Sequence, residues 1–138
     1  MNRRDLLVMS AAAAALPAAA RAGDGVGVPY DPAALDAALA EGRTVFLDFY
    51  TWWCGTCDRQ ERVIEQALAE NPAYAENIAF VAVDWDVHAR SDLARRLRIP
   101  RRSTLVVLKG PIEIGRLVAD TREDRIRRLL DTALSAAT

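Results

Sequence analysis

The chain has 138 residues, a length for one compact domain rather than two. Hydrophobic residues make up 51% and charged residues 27%, a balance that excludes a disordered chain. The formal net charge of −1 excludes general nucleic-acid binding through a basic surface.

Residues 1–22 read as an export leader. Arg3 and Arg4 make a basic start, Leu6 to Ala20 is an uncharged Ala-rich run, and Ala20-Arg21-Ala22 is a small-x-small cleavage site. The apolar run falls short of the roughly 20 residues that a membrane helix needs. Arg3-Arg4-Asp5-Leu6-Leu7 resembles a twin-arginine signal. A general secretory signal with two arginines, or an uncleaved anchor, are the alternatives. Residues 23–30 are expected as a flexible start and 31–138 as the folded domain. The expected compartment is the periplasm.

Asp31-Pro32 opens a helix, with Asp as N-cap and Pro at the first helical position, and Gly42 ends it. A weak strand around Val26 to Val28 precedes it. Thr44 to Tyr50 is a nearly continuous apolar strand, the pattern of a central strand covered on both faces. A helix follows from Cys54 to Glu70, with Val63, Ile64, Ala67 and Leu68 on its apolar side, and Asn71-Pro72 ends or kinks it. Strands are expected at Ile78 to Trp85, Thr104 to Leu108 and Ile112 to Ala119. Ser91 to Leu97 is a short helix. The last helix starts from a Thr121/Asp124 capping box and turns Ile126, Leu129, Leu130 and Leu134 inward. The order implies an α/β fold: a central mixed sheet of four to five strands flanked by helices on both faces.

The chemistry concentrates at Cys54 and Cys57. A bond between them closes a very short loop, restricts the unfolded chain little, and suits opening and closing better than stapling. Free N–H groups at a helix start favour negative charge, so a Cys54 thiolate is expected below the free thiol pKa of about 8.5. Cys54 is assigned as the exposed nucleophile and Cys57, one turn on, as the more buried resolving thiol. Structural zinc would need more ligands than two cysteines and His88. A c-type haem site would need His where Asp58 stands. His88 and the tryptophans Trp52 and Trp85 read as surface and packing residues. Asp48 interrupts an apolar strand. Burial should raise its pKa, as suits a proton acceptor for Cys57; a partly exposed Asp at a strand end is the alternative.

The stretch Phe46-Leu47-Asp48-Phe49-Tyr50-Thr51-Trp52-Trp53-Cys54-Gly55-Thr56-Cys57 resembles the thioredoxin family, and Thr104-Leu105-Val106-Val107-Leu108-Lys109-Gly110 resembles its segment after the cis-proline. The resemblance implies that Trp53 is an aromatic platform beside the nucleophile. It also implies that Asp48 helps deprotonate the resolving cysteine. Gly55, Thr56, Ser103 and Thr104 then border the substrate. Three departures stand out. Ser103 occupies the place of the cis-proline, so a trans loop is expected. Val81-Ala82-Val83 offers no buried Lys near Asp48. Thr56 replaces the usual Pro. Arg95, Arg96, Arg98, Arg101 and Arg102 precede Ser103 as a basic cluster, which by fold analogy faces Cys54 as a basic rim or else is a solvated helix and loop.

The function expected is an exported thiol–disulfide oxidoreductase: a monomer without cofactor that reduces protein disulfides and draws electrons from a membrane donor. A metal- or iron–sulfur-binding protein, a disulfide oxidase or isomerase, and a thioredoxin-like adaptor are the competing readings.

Overall fold

The computed structural model describes residues 23–138, so the leader and cleavage site expected over residues 1–22 lie outside the described residues. In chain order the elements are β1 (Val28–Pro29), α1 (Pro32–Ala40), β2 (Thr44–Tyr50), α2 (Gly55–Glu70), α3 (Ala73–Asn77), β3 (Ala79–Asp84), α4 (Trp85–His88), α5 (Asp92–Leu97), β4 (Thr104–Lys109), β5 (Ile112–Val118) and α6 (Glu123–Ala137). They form one five-stranded mixed sheet in the order β1-β3-β2-β4-β5. The central strand β2 pairs in parallel with β3 and antiparallel with β4.

Alternation along β2 divides the core into two layers. Val45, Leu47 and Phe49 pack with Leu35 of α1 and Leu93 of α5. Phe46 packs on the opposite face with Ile64 and Ala67 of α2 and Ile126, Leu130 and Ala133 of α6. Asp48 falls in the same alternation as Phe46, so its carboxyl is committed to the α2 side. The strand is buried on both faces, as its apolar run predicts.

Local signals account for most element ends. The Asp31 side chain accepts from Ala33 N–H at 3.2 Å, and Ser91 caps α5 by accepting from Ala94 N–H at 3.2 Å. Four details differ from the sequence reading. A short α3 follows Pro72 and buries Tyr74, whose hydroxyl donates to Asp131 of α6. Trp85 opens α4 rather than ending β3, because Asp84 turns the chain by accepting from Asp86 N–H at 3.0 Å. The Thr121/Asp124 capping box does not form: Arg122 is the N-cap residue without a side-chain cap, and Asp120 takes the Arg122 N–H and guanidinium instead.

The fourth difference lies at residues 23–30. Expected as a flexible start, they pack against the sheet, with Gly23, Gly25 and Val26 buried and β1 parallel to β3. Gly27 has φ +109°, and a Cβ there would overlap the Phe80 carbonyl of β3. Gly42, at the end of α1, also has positive φ (+76°) but faces open space. Gly27→Ala is therefore expected to cost roughly 3 kcal/mol or more, combining backbone strain with overlap. Gly42→Ala should cost only about 1–2 kcal/mol, for the left-handed backbone alone. Urea unfolding of the two variants checks the difference.

Candidate active site

The site lies where β2 hands the chain to α2. Cys54 is the N-cap of α2, with extended backbone, and its sulfur accepts from Cys57 N–H at 3.1 Å. A sulfur in the capping position takes one of the unpaired donors at a helix start, which favours its anionic form once the thiol is free. Cys54 and Cys57 are joined as a disulfide, so this is the oxidised form. Cys54, expected as exposed, is 3% exposed here and Cys57 not at all; the order matches the sequence reading and the degree does not.

Ser103 closes the site from the other side. Its hydroxyl oxygen lies 3.1 Å from the Cys54 sulfur and 3.1 Å from the Cys57 sulfur, and the residue is fully buried. No cis peptide bond occurs among the described residues, so the loop is trans as expected, and Ser103 takes φ +61°. That left-handed backbone is held on three sides. Ser103 N–H donates to the Phe49 carbonyl at 2.7 Å, and the Ser103 carbonyl accepts from Ala119 N–H at 2.8 Å and from Gln60 Nε2 at 3.0 Å. Gln60 is itself fully buried and also donates to the Asp120 carbonyl. Thr104 turns inward as well, its hydroxyl donating to the Arg101 carbonyl at 2.7 Å. Neither Ser103 nor Thr104 therefore presents a side chain to solvent in the oxidised form. Gly55 is exposed and Thr56 half-buried at the rim.

Asp48 is fully buried, as its place in the apolar strand implies. One carboxyl oxygen accepts from Val26 N–H at 2.9 Å and the other has no partner. Burial pushes its pKa up to about 7, against the opposing pull of the Val26 hydrogen bond, and Glu65 adds to the rise. A second buried carboxyl escaped the sequence reading. Glu61 is 5% exposed, and burial together with Asp48 and Asp58 pushes its pKa up to about 8. The signal was present in the spacing. Gln60 and Glu61 stand three and four residues after Cys57, on the buried stripe that continues through Ile64 and Ala67.

The outer rim is aromatic and basic. Trp53 is half-exposed, donates its indole N–H to Asp86 at 2.9 Å, and carries the Arg102 guanidinium 4.3 Å above its ring. Trp52, expected to pack, is 71% exposed. Trp85 does pack, edge-on to Phe49, and half-buried His88 lies edge-on to Tyr30. The basic cluster does not converge on Cys54. Arg102 reaches Trp53, but Arg96 lines a cavity of about 450 Å³ with Asp36, Leu39, Leu108 and Pro111. Arg95 folds back on the Arg90 carbonyl. Among the described residues, no three His, Cys, Asp or Glu side chains gather as a metal site, and no helix is long and apolar enough to cross a membrane.

Comparison with known proteins agrees with this geometry. A family profile described as Thioredoxin-like matches residues 29–108, more than half of the chain. A thioredoxin of Echinococcus granulosus is 33% identical over 100 residues, covering 72% of this chain and 87% of its own. Thioredoxin H2-1 of Oryza sativa subsp. japonica is 32% identical over 99 residues, covering 70% of this chain and 67% of its own. Among solved structures, Trxlp from Edwardsiella tarda EIB202 superposes with a TM-score of 0.65 at 29% identity, covering 74% of this chain and 95% of that one. With its Cys54/Cys57 pair at the start of α2, the chain belongs to the thioredoxin-like family and is a thiol–disulfide oxidoreductase.

Proposed function

We propose that the protein is an exported, monomeric reductant of protein disulfides, supplied with electrons by a membrane donor. The observation that carries this reading is the Cys54 sulfur in the capping position of α2, with the Ser103 hydroxyl against it. Both contacts favour a thiolate at Cys54 in the reduced protein. The residues around the pair then take distinct roles. The Cys54 thiolate attacks one sulfur of a client disulfide, a bond forms between them, and the client's other sulfur leaves and takes a proton from water. Cys57 gives its proton to the Asp48 carboxylate and attacks the Cys54 sulfur, which releases the client's second thiolate. Two electrons pass to the client, and the pair ends as the Cys54–Cys57 disulfide. Two electrons and two protons from the donor reopen it.

Trp53, fixed by Asp86 and Arg102, serves as the flat surface beside the attacked bond, and Gly55 and Thr56 border the client. Trp52 adds apolar contact area at the same rim. The leader places this chemistry in the periplasm, where disulfides persist and a reductant needs an outside electron supply.

Cys57→Ser should leave Cys54 covalently joined to clients, visible as thiol-sensitive adducts on non-reducing gels, and Cys54→Ser should form none. Equilibration against glutathione should give a potential near −270 mV, and one near −120 mV would instead identify an oxidase.

Asp48 gives a pH prediction with a definite sign. Its folded pKa of about 7 lies above the unfolded value of 3.8, so the fold favours the neutral acid. The stability this contributes is complete below pH 3.8 and lost as pH rises through about 7. Oxidised Asp48→Asn should therefore gain stability over the wild type between pH 4 and pH 8, by roughly a few kcal/mol. Its resolving step should be slower and lose the pH dependence near 7. Denaturant melts at the two pH values and single-turnover release of a mixed disulfide check both halves.

Ser103→Ala removes a hydrogen bond to the thiolate and should raise the Cys54 thiol pKa by roughly one unit, read from thiolate absorbance. Ser103→Thr should keep most of the effect.

A further inference from the structure

We propose that removal of the leader between Ala22 and Gly23 completes the redox site, by setting a free α-ammonium group at Gly23 against the buried Glu61 carboxyl. The inference rests on the export reading above and adds to it a chemical role for the new chain terminus.

Glu61 is 5% exposed, one of its oxygens has no partner, and no ion pair reaches it among the described residues. Gly23 is buried beside it. The two residues line one cavity of about 200 Å³ with Asp58, Arg62 and Glu65. Gly23 is also held in place: its φ is +90°, and a Cβ there would come within 3.2 Å of the Trp52 carbonyl. A hydrogen bond from the Gly23 backbone opposes the rise that burial gives the Glu61 pKa. The same segment supplies the Val26 N–H that Asp48 accepts. Both buried carboxyls of the α2 side are thus met by backbone nitrogens from residues 23–26.

The charges around Glu61 lean one way. Asp58, Arg62 and Glu65 face it from α2, Asp48 and Tyr50 from β2, and Asp24 flanks Tyr50 from the segment itself. Arg62 is the one cation in that group. It is exposed and forms no ion pair with Glu61. Hydrolysis of the Ala22–Gly23 amide by a leader peptidase consumes one water and leaves an Ala22 carboxyl and a Gly23 amine. The nitrogen next to Glu61 then changes from a neutral amide to a cation, since an α-amino group is ordinarily protonated below about pH 7.7–8.0. Pairing keeps Glu61 ionised and raises the amine's affinity for its proton. Asp48 is then left as the single carboxyl on this side that titrates near neutral pH, its carboxylate taking the Cys57 proton. In the precursor, two coupled carboxyls share that role.

The test uses the protein exported with its own leader and purified from the periplasm. Intact mass should place the new terminus at Gly23. Isotope-labelled methylation of the α-amine, followed by NMR titration, should show it holding its proton about tenfold more tightly in the wild type than in Glu61→Gln, a difference of about one pKa unit. Glu65→Gln, on the cavity rim, should leave it unchanged. A different terminus by mass would overturn the proposal together with the expected cleavage site. The correct mass with equal amine titration in wild type and Glu61→Gln would overturn the pairing alone, as would an equal drop in Glu65→Gln. If Glu61→Gln does not fold, the wild-type amine is titrated native and in urea, and no rise on folding overturns the pairing.

Discussion

A charged carboxyl inside a sheet costs several kcal/mol unless something opposite in charge pairs with it. Asp48 has no such partner in its own strand or in β3, where Ala82 stands directly beside it in register. The α2 side of the molecule is arranged around that cost. A strap of glycines comes close enough for Val26 N–H to reach one Asp48 oxygen, and no bulkier backbone could follow the same path across Phe80. The remaining cost appears as a raised pKa, so the acid stays neutral where an exposed Asp would be ionised. With its pKa raised to about 7, the carboxyl is part ionised near neutral pH, so its carboxylate can take a proton there, and this property ties the sheet's packing to the cysteine chemistry.

The Ser103 loop solves a different problem with the same materials. A buried hydroxyl must be placed against two sulfurs on the far side of the sheet end, and the backbone that does so has positive φ. A strained residue persists where its surroundings over-determine it. Here the Phe49 carbonyl, the Ala119 amide and the Gln60 side chain hold Ser103 from β2, from the end of β5 and from α2. Gln60 is consequently part of the site's frame, although it touches neither sulfur. Its second bond, to the Asp120 carbonyl, ties the start of α6 to the same point.

Much of this was legible beforehand, and for local reasons. β2 shows its double burial in an unbroken apolar run, Asp31-Pro32 and Ser91 mark helix starts by cap chemistry, and the spacing of Cys54 and Cys57 names the reaction. Asp48 was legible because a carboxyl that interrupts such a run is either buried or at an exposed strand end, and its place inside the run favours burial. What escaped the reading depended on long-range contacts. Glu61 and Gln60 look like ordinary polar residues of an amphipathic helix until α2 is rotated about Cys57. Residues 23–30 read as flexible because glycine suits a tail as well as a tight strap, and only the nearness of Phe80, Tyr50 and Trp52 decides between them. The arginines formed a cluster in sequence that α5 and the following loop disperse around the fold.

The two faces of the sheet thereby carry unequal burdens. The α1/α5 side holds Val45, Leu47, Phe49, Leu93 and Val106 in an apolar layer of the kind that resists rearrangement. The α2 side admits two carboxyls, an amide, a hydroxyl and a disulfide into the same thickness of protein. Three of those polar groups are held from elsewhere in the chain: Asp48 by Val26, Gln60 by the Ser103 carbonyl, and the Ser103 hydroxyl by both sulfurs. Reduction of the disulfide changes the charge and hydrogen bonding of only one corner of that network. The side chains of the apolar face take no part in that corner, whose groups are Cys54, Cys57 and Ser103.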